Sequence, residues 1–274
     1  MPGRLAKTGE RIIPEHFLYS KEAYLVYLRH LFSYEFIKES VSEQSCVLEV
    51  GCGEGYGTSR LSSVVKHIIG VDVDERVIEY ASKKYGSENC SFKLSNGVTL
   101  PFDTNMFDVV VSLEVIEHIQ DDIKFLTEIR RVVKAKGTYI LTTPNKTYRI
   151  RPHKKPWNRF HVREYSPDEL ENTLKTIFSD VRVWGICGSA EIQNIEQARV
   201  KQAQKFANLI PLNLRRLIPV SLETWMITLL KTLLKKPHSS QNTRDFLEAY
   251  TIHDYHLVKE HVEESLDLLA ICKP

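Results

Sequence analysis

Four glycines at alternating positions follow a short apolar run near residue 50, and this feature restricts the possible folds of the chain more than any other. Val47-Leu-Glu-Val50 has the composition of a buried strand, and Gly51-Cys-Gly-Glu-Gly-Tyr-Gly57 follows it directly. A glycine-rich turn between a strand and a helix lets a ligand approach the backbone closely. The pattern therefore predicts a ligand site at the carboxyl end of a first strand. The alternative is a tight turn without a ligand.

Apolar runs alternate with segments of helical periodicity along the rest of the chain. Seven runs have the character of strands, namely residues 47–50, 67–72, 91–94, 107–113, 138–142, 181–184 and 266–271. Asp74 and Ser166-Pro-Asp-Glu169 are typical helix starts, and a helix from Ile123 is expected to end at Lys136-Gly137. The alternation predicts an α/β fold, a doubly wound, Rossmann-like sheet of seven mainly parallel strands. Ligands of such sheets bind beyond the carboxyl ends of the strands.

The length of the chain, 274 residues, is compatible with one elaborated domain or two, and we favour one domain with an insertion. We expect the core to consist of residues 41–188 and 265–274. Residues 1–40 would form an N-terminal helical lid segment. The sheet pattern stops over residues 189–264, which we expect to form a helical insertion.

Charge and cysteine content exclude several classes of protein. Basic residues exceed acidic ones by only two, so we expect no nucleic-acid partner. The five cysteines lie far apart without a CxxC pair, which predicts reduced thiols rather than a disulfide framework or a zinc site. The charged N-terminal segment does not resemble a signal peptide, and no run of about 18 uncharged apolar residues is present. We therefore expect a cytoplasmic protein.

The charges around the glycine segment discriminate between two cofactors. Asp72 lies about twenty residues beyond the loop, where an acid can bind ribose hydroxyls, and this spacing suits both a nicotinamide dinucleotide and S-adenosylmethionine. Glu49 and Glu54 flank the glycines, and carboxylates there disfavour a pyrophosphate but suit a sulfonium and an ammonium. The loop also has the pattern G-x-G-x-G-x-G rather than G-x-G-x-x-G. These features favour S-adenosylmethionine over a nicotinamide-dependent oxidoreductase.

Four segments, in order, resemble the motifs of class I S-adenosylmethionine-dependent methyltransferases. They are Val47-Leu-Glu-Val-Gly-Cys-Gly-Glu-Gly55, Gly70-Val-Asp-Val-Asp74, Leu100-Pro-Phe102 with the strand from Phe107, and Glu114-Val-Ile-Glu-His118. The resemblance extends from about residue 8 to residue 184 and resumes at the last strand. It is nearest to the ubiquinone-biosynthesis O-methyltransferase type and to methyltransferases that accompany polysaccharide synthesis.

This resemblance implies a set of residues that bind the cofactor. Gly51, Cys52 and Gly53 would line its methionine part, Asp72 would accept hydrogen bonds from the ribose, and Val73 would flank the adenine. The family commonly has an aspartate where this chain has Asn96, which can still accept a bond from the adenine amino group. The remaining predicted cofactor residues are Glu49, Gly97, Leu113 and Arg11. Arg11 would pair with the methionine carboxylate, and the alternative is an exposed structural arginine.

Two histidines are candidates for the catalytic base. Methyl transfer to a hydroxyl requires removal of its proton, and histidine is the usual base. His118 follows the fourth strand, and His161 precedes the capped helix at Ser166. Either histidine could instead stabilise its loop through hydrogen bonds. The resemblance also implies a divalent metal such as Mg at Glu114, Glu117 and His118. The same motif, however, also occurs in methyltransferases that need no metal.

The expected reaction is O-methylation of a hydroxyl on a sugar, a glycan intermediate or a phenolic metabolite. The alternatives are N-methylation of an amino sugar, nicotinamide-dependent oxidoreduction, and a non-enzymatic membrane-associated scaffold. The amphipathic segment 214–236, which is bordered by basic residues, could contact the inner face of an anionic membrane. It could instead cover the acceptor pocket or form a homodimer.

Overall fold

The computed structural model describes residues 20–150, 156, 158, 160–209 and 245–274, with side chains to residue 205 in the third range. Eight strands form one sheet in the order β3-β2-β1-β4-β5-β8-β6-β7. The strands are β1 Cys46–Val50, β2 His67–Asp72, β3 Cys90–Leu94, β4 Phe107–Leu113, β5 Val133–Pro144, β6 Asp180–Gly188, β7 Tyr255–Val258 and β8 Asp267–Lys273. The five strands from β3 to β5 are parallel, and β8, β6 and β7 pair antiparallel.

Helices cover both faces of the sheet. Those described are α1 Lys21–Glu39, α2 Tyr56–Ser62, α3 Glu75–Tyr85, α4 Asp122–Val132, α5 Lys146–Arg149, α6 Pro167–Lys175, α7 Ala190–Leu209 and α8 Asp245–Ala249. One core cluster contains apolar side chains of α1, α2, α3 and α7, and a second contains those of α4 and α6. The predicted doubly wound α/β fold with a mainly parallel sheet is confirmed.

The local helix signals in the sequence were correct at two starts and wrong at one end. Asp74 caps α3, and Ser166 forms a complete capping box with Glu169 at the start of α6. The helix from residue 122 ends at Val132, before Lys136-Gly137, because the chain is already extended in β5 from Val133. Pairing of that segment with β4 competes successfully with the helical periodicity.

All seven predicted strands are present, and the sheet gains an eighth. The extra strand β7 lies within residues 189–264, where no strand was expected, and it pairs with β6 at the sheet edge. It contains four residues, of which only Tyr255 is buried, so its apolar pattern is weak. Among the described residues, no helix combines the length and apolarity needed to cross a membrane. Arg11 and the segment 214–236 lie outside the described residues.

Buried ion pairs attach α1 to the sheet. Arg29 Nε lies 2.5 Å from an oxygen of Asp267 in β8, and Arg29 Nη1 lies 3.7 Å from Glu196 in α7. All three side chains are almost completely buried. Such charges stabilise a fold only while they remain mutually compensated. This part of the segment 1–40 is thus packed against the core, and its role as a lid stays a prediction.

We predict that Arg29→Met destabilises the protein strongly, because Asp267 and Glu196 would lose their compensating cation. The expected loss in the free energy of unfolding is about 3–5 kcal/mol, the usual cost of removing one partner of a buried ion pair. Chemical denaturation would measure it. The matched control is Lys175→Met, whose exposed pair with Glu171 is also 2.5 Å long and should contribute little. Equal effects of the two variants would contradict the prediction.

Candidate active site

The glycine segment forms a turn that leads from β1 into α2. Gly51, Gly53 and Gly55 have φ values of 79°, 51° and 83°, in the left-handed region that favours glycine. The amides of Gly51 and Cys52 both donate to the carbonyl of Val71, at 2.8 and 3.0 Å, which holds the turn over the end of β2. A Cβ added to Gly53 would have nothing within 4 Å, so open space lies in front of the turn.

Close packing accounts for the glycine at position 51. A Cβ there would collide with the side chain of Val115, which follows β4. The loop after β1 and the loop after β4 are therefore in direct contact. This contact brings the predicted cofactor residues beside the predicted catalytic segment.

Glu49 is buried beneath the glycine turn rather than facing the space in front of it. Its two carboxylate oxygens accept hydrogen bonds from the hydroxyls of Tyr34 at 2.6 Å and Thr58 at 2.5 Å. Burial raises the pKa of Glu49 to about 7, although the two hydroxyls oppose the shift. The carboxyl group thus ties β1 to α1 and α2. The sequence analysis placed the charge of Glu49 beside the glycines, where it would suit a sulfonium and an ammonium, whereas the structure buries this side chain beneath the turn.

The end of β2 presents a carboxylate and an apolar side chain together. Asp72 accepts hydrogen bonds from the amides of Gly53 at 3.1 Å and Asp74 at 3.0 Å. The next residue, Val73, is 74% exposed, so an apolar surface lies directly beside this carboxylate. A carboxylate adjacent to an exposed apolar surface has the chemistry required to bind a ribose and its attached base. The residues present fit the adenosine part of S-adenosylmethionine.

Asn96 is engaged within its own turn. Its side-chain oxygen accepts from the amides of Val98 at 3.1 Å and Thr99 at 2.8 Å, so both lone pairs of that oxygen are used. The expected bond from an adenine amino group would have to displace one of these. Gly97 has a φ of 71° in the same turn, and Leu113 is 7% exposed at the end of β4.

A 3-10 turn, Ile116–His118, follows β4 and carries Glu117 and His118, whereas Glu114 lies just before it. Glu117 is fully buried and accepts a hydrogen bond from Thr143 of β5 at 2.9 Å, while its other oxygen has no hydrogen-bond partner. Burial raises the pKa of Glu117, and the charge of Glu164 adds to the shift. Burial also raises the pKa of Glu114, and the charges of Asp267 and Glu117 add to it.

The two candidate histidines lie against one another. The rings of His118 and His161 are 4.9 Å apart, edge to face, although 43 positions separate them in the chain. His118 Nδ1 is 3.2 Å from the carbonyl oxygen of Phe160. His161 Nδ1 is 2.7 Å from Oε1 of Glu164, and both side chains are almost completely buried. Each histidine is thus oriented through Nδ1.

The two imidazoles differ in their suitability as a base. Burial and, to a smaller extent, the neighbouring His161 lower the pKa of His118 to about 4, so His118 is a weak base. Burial also lowers the pKa of His161, but the hydrogen bond to Glu164 opposes that shift. Both rings are neutral near pH 7. Of the two, His161 has the environment that better supports proton acceptance.

The metal-ligating side chains that the structure brings together differ from the set predicted from the sequence. Within the part of the chain that the structure describes, ligand atoms of Glu117, His118 and His161 lie within 4.8 Å of one another. Glu114 is not in that group. Two imidazoles and one carboxylate suit a transition metal such as Zn²⁺ or Mn²⁺ better than Mg²⁺, which prefers oxygen ligands.

Several site residues were not found from the sequence. Glu164 lies three positions after His161, in a segment already under consideration, so the spacing could have indicated it. Tyr34 and Thr58, the partners of Glu49, carry no motif of their own and were missed. Arg149, whose Nε lies 3.6 Å from Glu164, was also missed.

Comparisons with known proteins agree with this geometry. A family described as "Methyltransferase domain" matches residues 48–141. A probable S-adenosylmethionine-dependent methyltransferase of Mycobacterium tuberculosis is 30% identical over 98% of this chain and 90% of its own length. A ubiquinone biosynthesis O-methyltransferase of Maricaulis maris is 34% identical over 37% of this chain and 41% of its own length.

A solved structure shows the same fold. The YcgJ protein of Bacillus subtilis superposes with a TM-score of 0.53 and 20% identity, covering 88% of this chain and 98% of that one. The near full-length relative and the arrangement of the glycine turn, Asp72 and Val73 lead to the same conclusion. This chain belongs to the S-adenosylmethionine-dependent methyltransferases.

Proposed function

We propose that this methyltransferase acts on a hydroxyl group of a small acceptor, a sugar, a glycan intermediate or a phenolic metabolite. The observation that carries the proposal is the buried pair of His161 and Glu164, 2.7 Å apart, beside the loop that follows β4. A hydroxyl acceptor has to lose its proton during transfer, whereas an amine can attack once it is neutral. A histidine held by a carboxylate supplies the base that only the first class needs.

Residues that follow β1 and β2 would bind the cofactor, and His161 would act on the acceptor. S-adenosylmethionine supplies a methyl group on a positively charged sulfur. Gly51, Cys52 and Gly53 would border its methionine part, and Asp72 would bind the ribose hydroxyls. His161 would accept the proton of the acceptor hydroxyl at Nε2, because Nδ1 is hydrogen-bonded to Glu164. Alignment of the acceptor with the methyl group would supply much of the remaining rate.

One of the named relatives supports oxygen as the acceptor atom. The Maricaulis maris relative is named for O-methylation in ubiquinone biosynthesis, which favours a phenolic hydroxyl. A sugar or glycan hydroxyl needs the same base. N-methylation of an amino sugar is the alternative, and a panel of acceptors distinguishes the two classes.

We predict that S-adenosylhomocysteine stabilises the protein against heat and that NAD does not. A ligand at 100 times its dissociation constant raises the free energy of unfolding by about 2.7 kcal/mol. Asp72→Ala should weaken binding about 10- to 100-fold, because it removes charge-assisted hydrogen bonds to the ribose. The control is Asp103→Ala, which alters an exposed carboxylate outside the site. Stabilisation by NAD alone would contradict the assignment of the cofactor.

We predict that methyl-labelled S-adenosylmethionine transfers label to a hydroxyl in a panel of sugars, catechols and amines. His161→Ala should then lower kcat about 10²- to 10⁴-fold, the usual contribution of a general base, with unchanged affinity for S-adenosylhomocysteine. His253→Ala, at an exposed histidine, is the control. Transfer to amines alone, or full turnover by His161→Ala, would exclude the proposed base.

A divalent cation at Glu117, His118 and His161 is a second candidate for activating the hydroxyl. It is favoured by the 4.8 Å grouping of their ligand atoms and by the unpartnered oxygen of Glu117. A metal there would lower the pKa of a bound hydroxyl. This candidate and the proposed base both require the imidazole of His161, so they are mutually exclusive.

Dialysis against a chelator decides between the two candidates. We expect turnover to remain unchanged after chelation, because proton transfer to a neutral imidazole needs no metal. Elemental analysis of the purified protein provides the parallel measurement. If turnover is lost on chelation and returns with Zn²⁺ or Mn²⁺, the hydroxyl is activated by a metal ion and not by His161 acting as a base.

A further inference from the structure

We infer that Glu164 is a positioning residue for His161, fixing the tautomer in which Nδ1 carries the proton and Nε2 carries the free lone pair. The inference rests on the proposed function only for the use of that lone pair. The tautomer is a property of the protein alone. It can therefore be measured before any acceptor is known.

The chemistry of a carboxylate determines the direction of the hydrogen bond. An ionised carboxylate has no proton and can only accept, so the 2.7 Å contact requires Nδ1 of His161 to be the donor. In a neutral imidazole the other nitrogen is then the acceptor. Nε2 has no hydrogen-bond partner among the residues that the structure describes.

The backbone holds both residues of the pair in place. Next to His161, the amide of Val162 donates to the carbonyl of Glu117 at 2.8 Å. Next to Glu164, the carbonyl of Tyr165 accepts from the amide of Lys146 at 2.9 Å. The Tyr165 hydroxyl donates to Asp122 at 2.7 Å. The segment is thus attached to the turn after β4, to the start of α5 and to α4.

A neighbouring cation compensates the buried carboxylate. Glu164 is 4% exposed, and burying an unpaired charge destabilises a fold strongly. Arg149 Nε lies 3.6 Å from its second oxygen, Oε2. One oxygen of Glu164 therefore faces the imidazole and the other faces a guanidinium. This division suits a residue whose function is to hold a charge beside His161.

His118 provides an internal comparison. Its Nδ1 faces the carbonyl oxygen of Phe160 at 3.2 Å, and a carbonyl oxygen also accepts only. The same tautomer is therefore expected for His118, fixed by a neutral group instead of a carboxylate. Changes at Glu164 should alter the tautomer of His161 and leave that of His118 intact.

The experiment is long-range proton–nitrogen NMR of the full chain labelled with ¹⁵N in histidine, near neutral pH. His161→Asn and His118→Asn assign the two rings. In the unaltered protein we expect His161 Nδ1 to have the shift of a protonated nitrogen and Nε2 that of an unprotonated one. The opposite pattern would overturn the inference, and this measurement needs no variant of Glu164 to fold.

Variants of Glu164 test the cause. In Glu164→Gln the amide oxygen is expected to face the Arg149 guanidinium, which can only donate, and the amide nitrogen then faces Nδ1 of His161. Part or all of His161 should therefore shift to the other tautomer. Glu164→Asp retains a carboxylate and should partly restore the original pattern. A His161 tautomer unchanged in Glu164→Gln would overturn the inference.

An activity measurement separates positioning from general support of the fold. With any acceptor to which label is transferred, Glu164→Gln should lower kcat at least about 10-fold, less than the 10²- to 10⁴-fold loss expected when the base itself is removed. The KM for S-adenosylmethionine should be unchanged, and Glu164→Asp should recover part of kcat. Equal kcat in Glu164→Gln and unaltered protein would contradict the role.

The outcomes distinguish failure of the inference from failure of the proposed function. If the predicted tautomer is found but no hydroxyl is methylated, the proposed function fails and the orientation of His161 by Glu164 stands. If His161→Ala abolishes hydroxyl methylation but His161 has the opposite tautomer, the function stands and the role of Glu164 fails.

Discussion

The site depends on the parallel alignment of neighbouring strands. Glu49 of β1 lies opposite Gly70 of β2 on one side and opposite Val111 of β4 on the other. Because the strands are parallel, their carboxyl ends meet at one edge, and the loops that follow them are neighbours. The glycine turn, the carboxylate of Asp72 and the turn with His118 all follow from this register. The contact between Gly51 and Val115 then sets the spacing between the proposed cofactor and acceptor residues.

Buried charge is concentrated on the side of this edge that is proposed to bind the acceptor. Arg29 and Arg149 compensate carboxylates of β8, α7 and the segment before α6. Glu114 and Glu117 have no such guanidinium within ion-pair distance among the described residues, and burial raises the pKa of both carboxyl groups, which favours their neutral forms. A neutral carboxyl group beside neutral imidazoles would let the proposed polar acceptor enter without exposing an uncompensated charge.

Local chemistry explains why most of the fold was predictable. Buried parallel strands are continuous apolar runs, and all seven such runs in the sequence are strands. Capping residues such as Asp74 and Ser166 form their bonds within three positions, so their effect is visible in the sequence itself. The strand β7 was missed because an edge strand with one buried residue has little apolar signal. The start of β5 at Val133 was missed because strand pairing, a distant interaction, overrides helical periodicity.

The sequence by itself determined the glycine turn, the acid at the end of β2 and the order of strands and helices, since each depends on neighbouring residues. The tertiary structure alone decided that Glu49 is buried under hydroxyls of Tyr34 and Thr58 rather than exposed to a ligand. It also brought His118 and His161 into contact across 43 positions. Burial, ion pairing and the resulting pKa values depend on which distant segments pack together, and no local pattern encodes that packing.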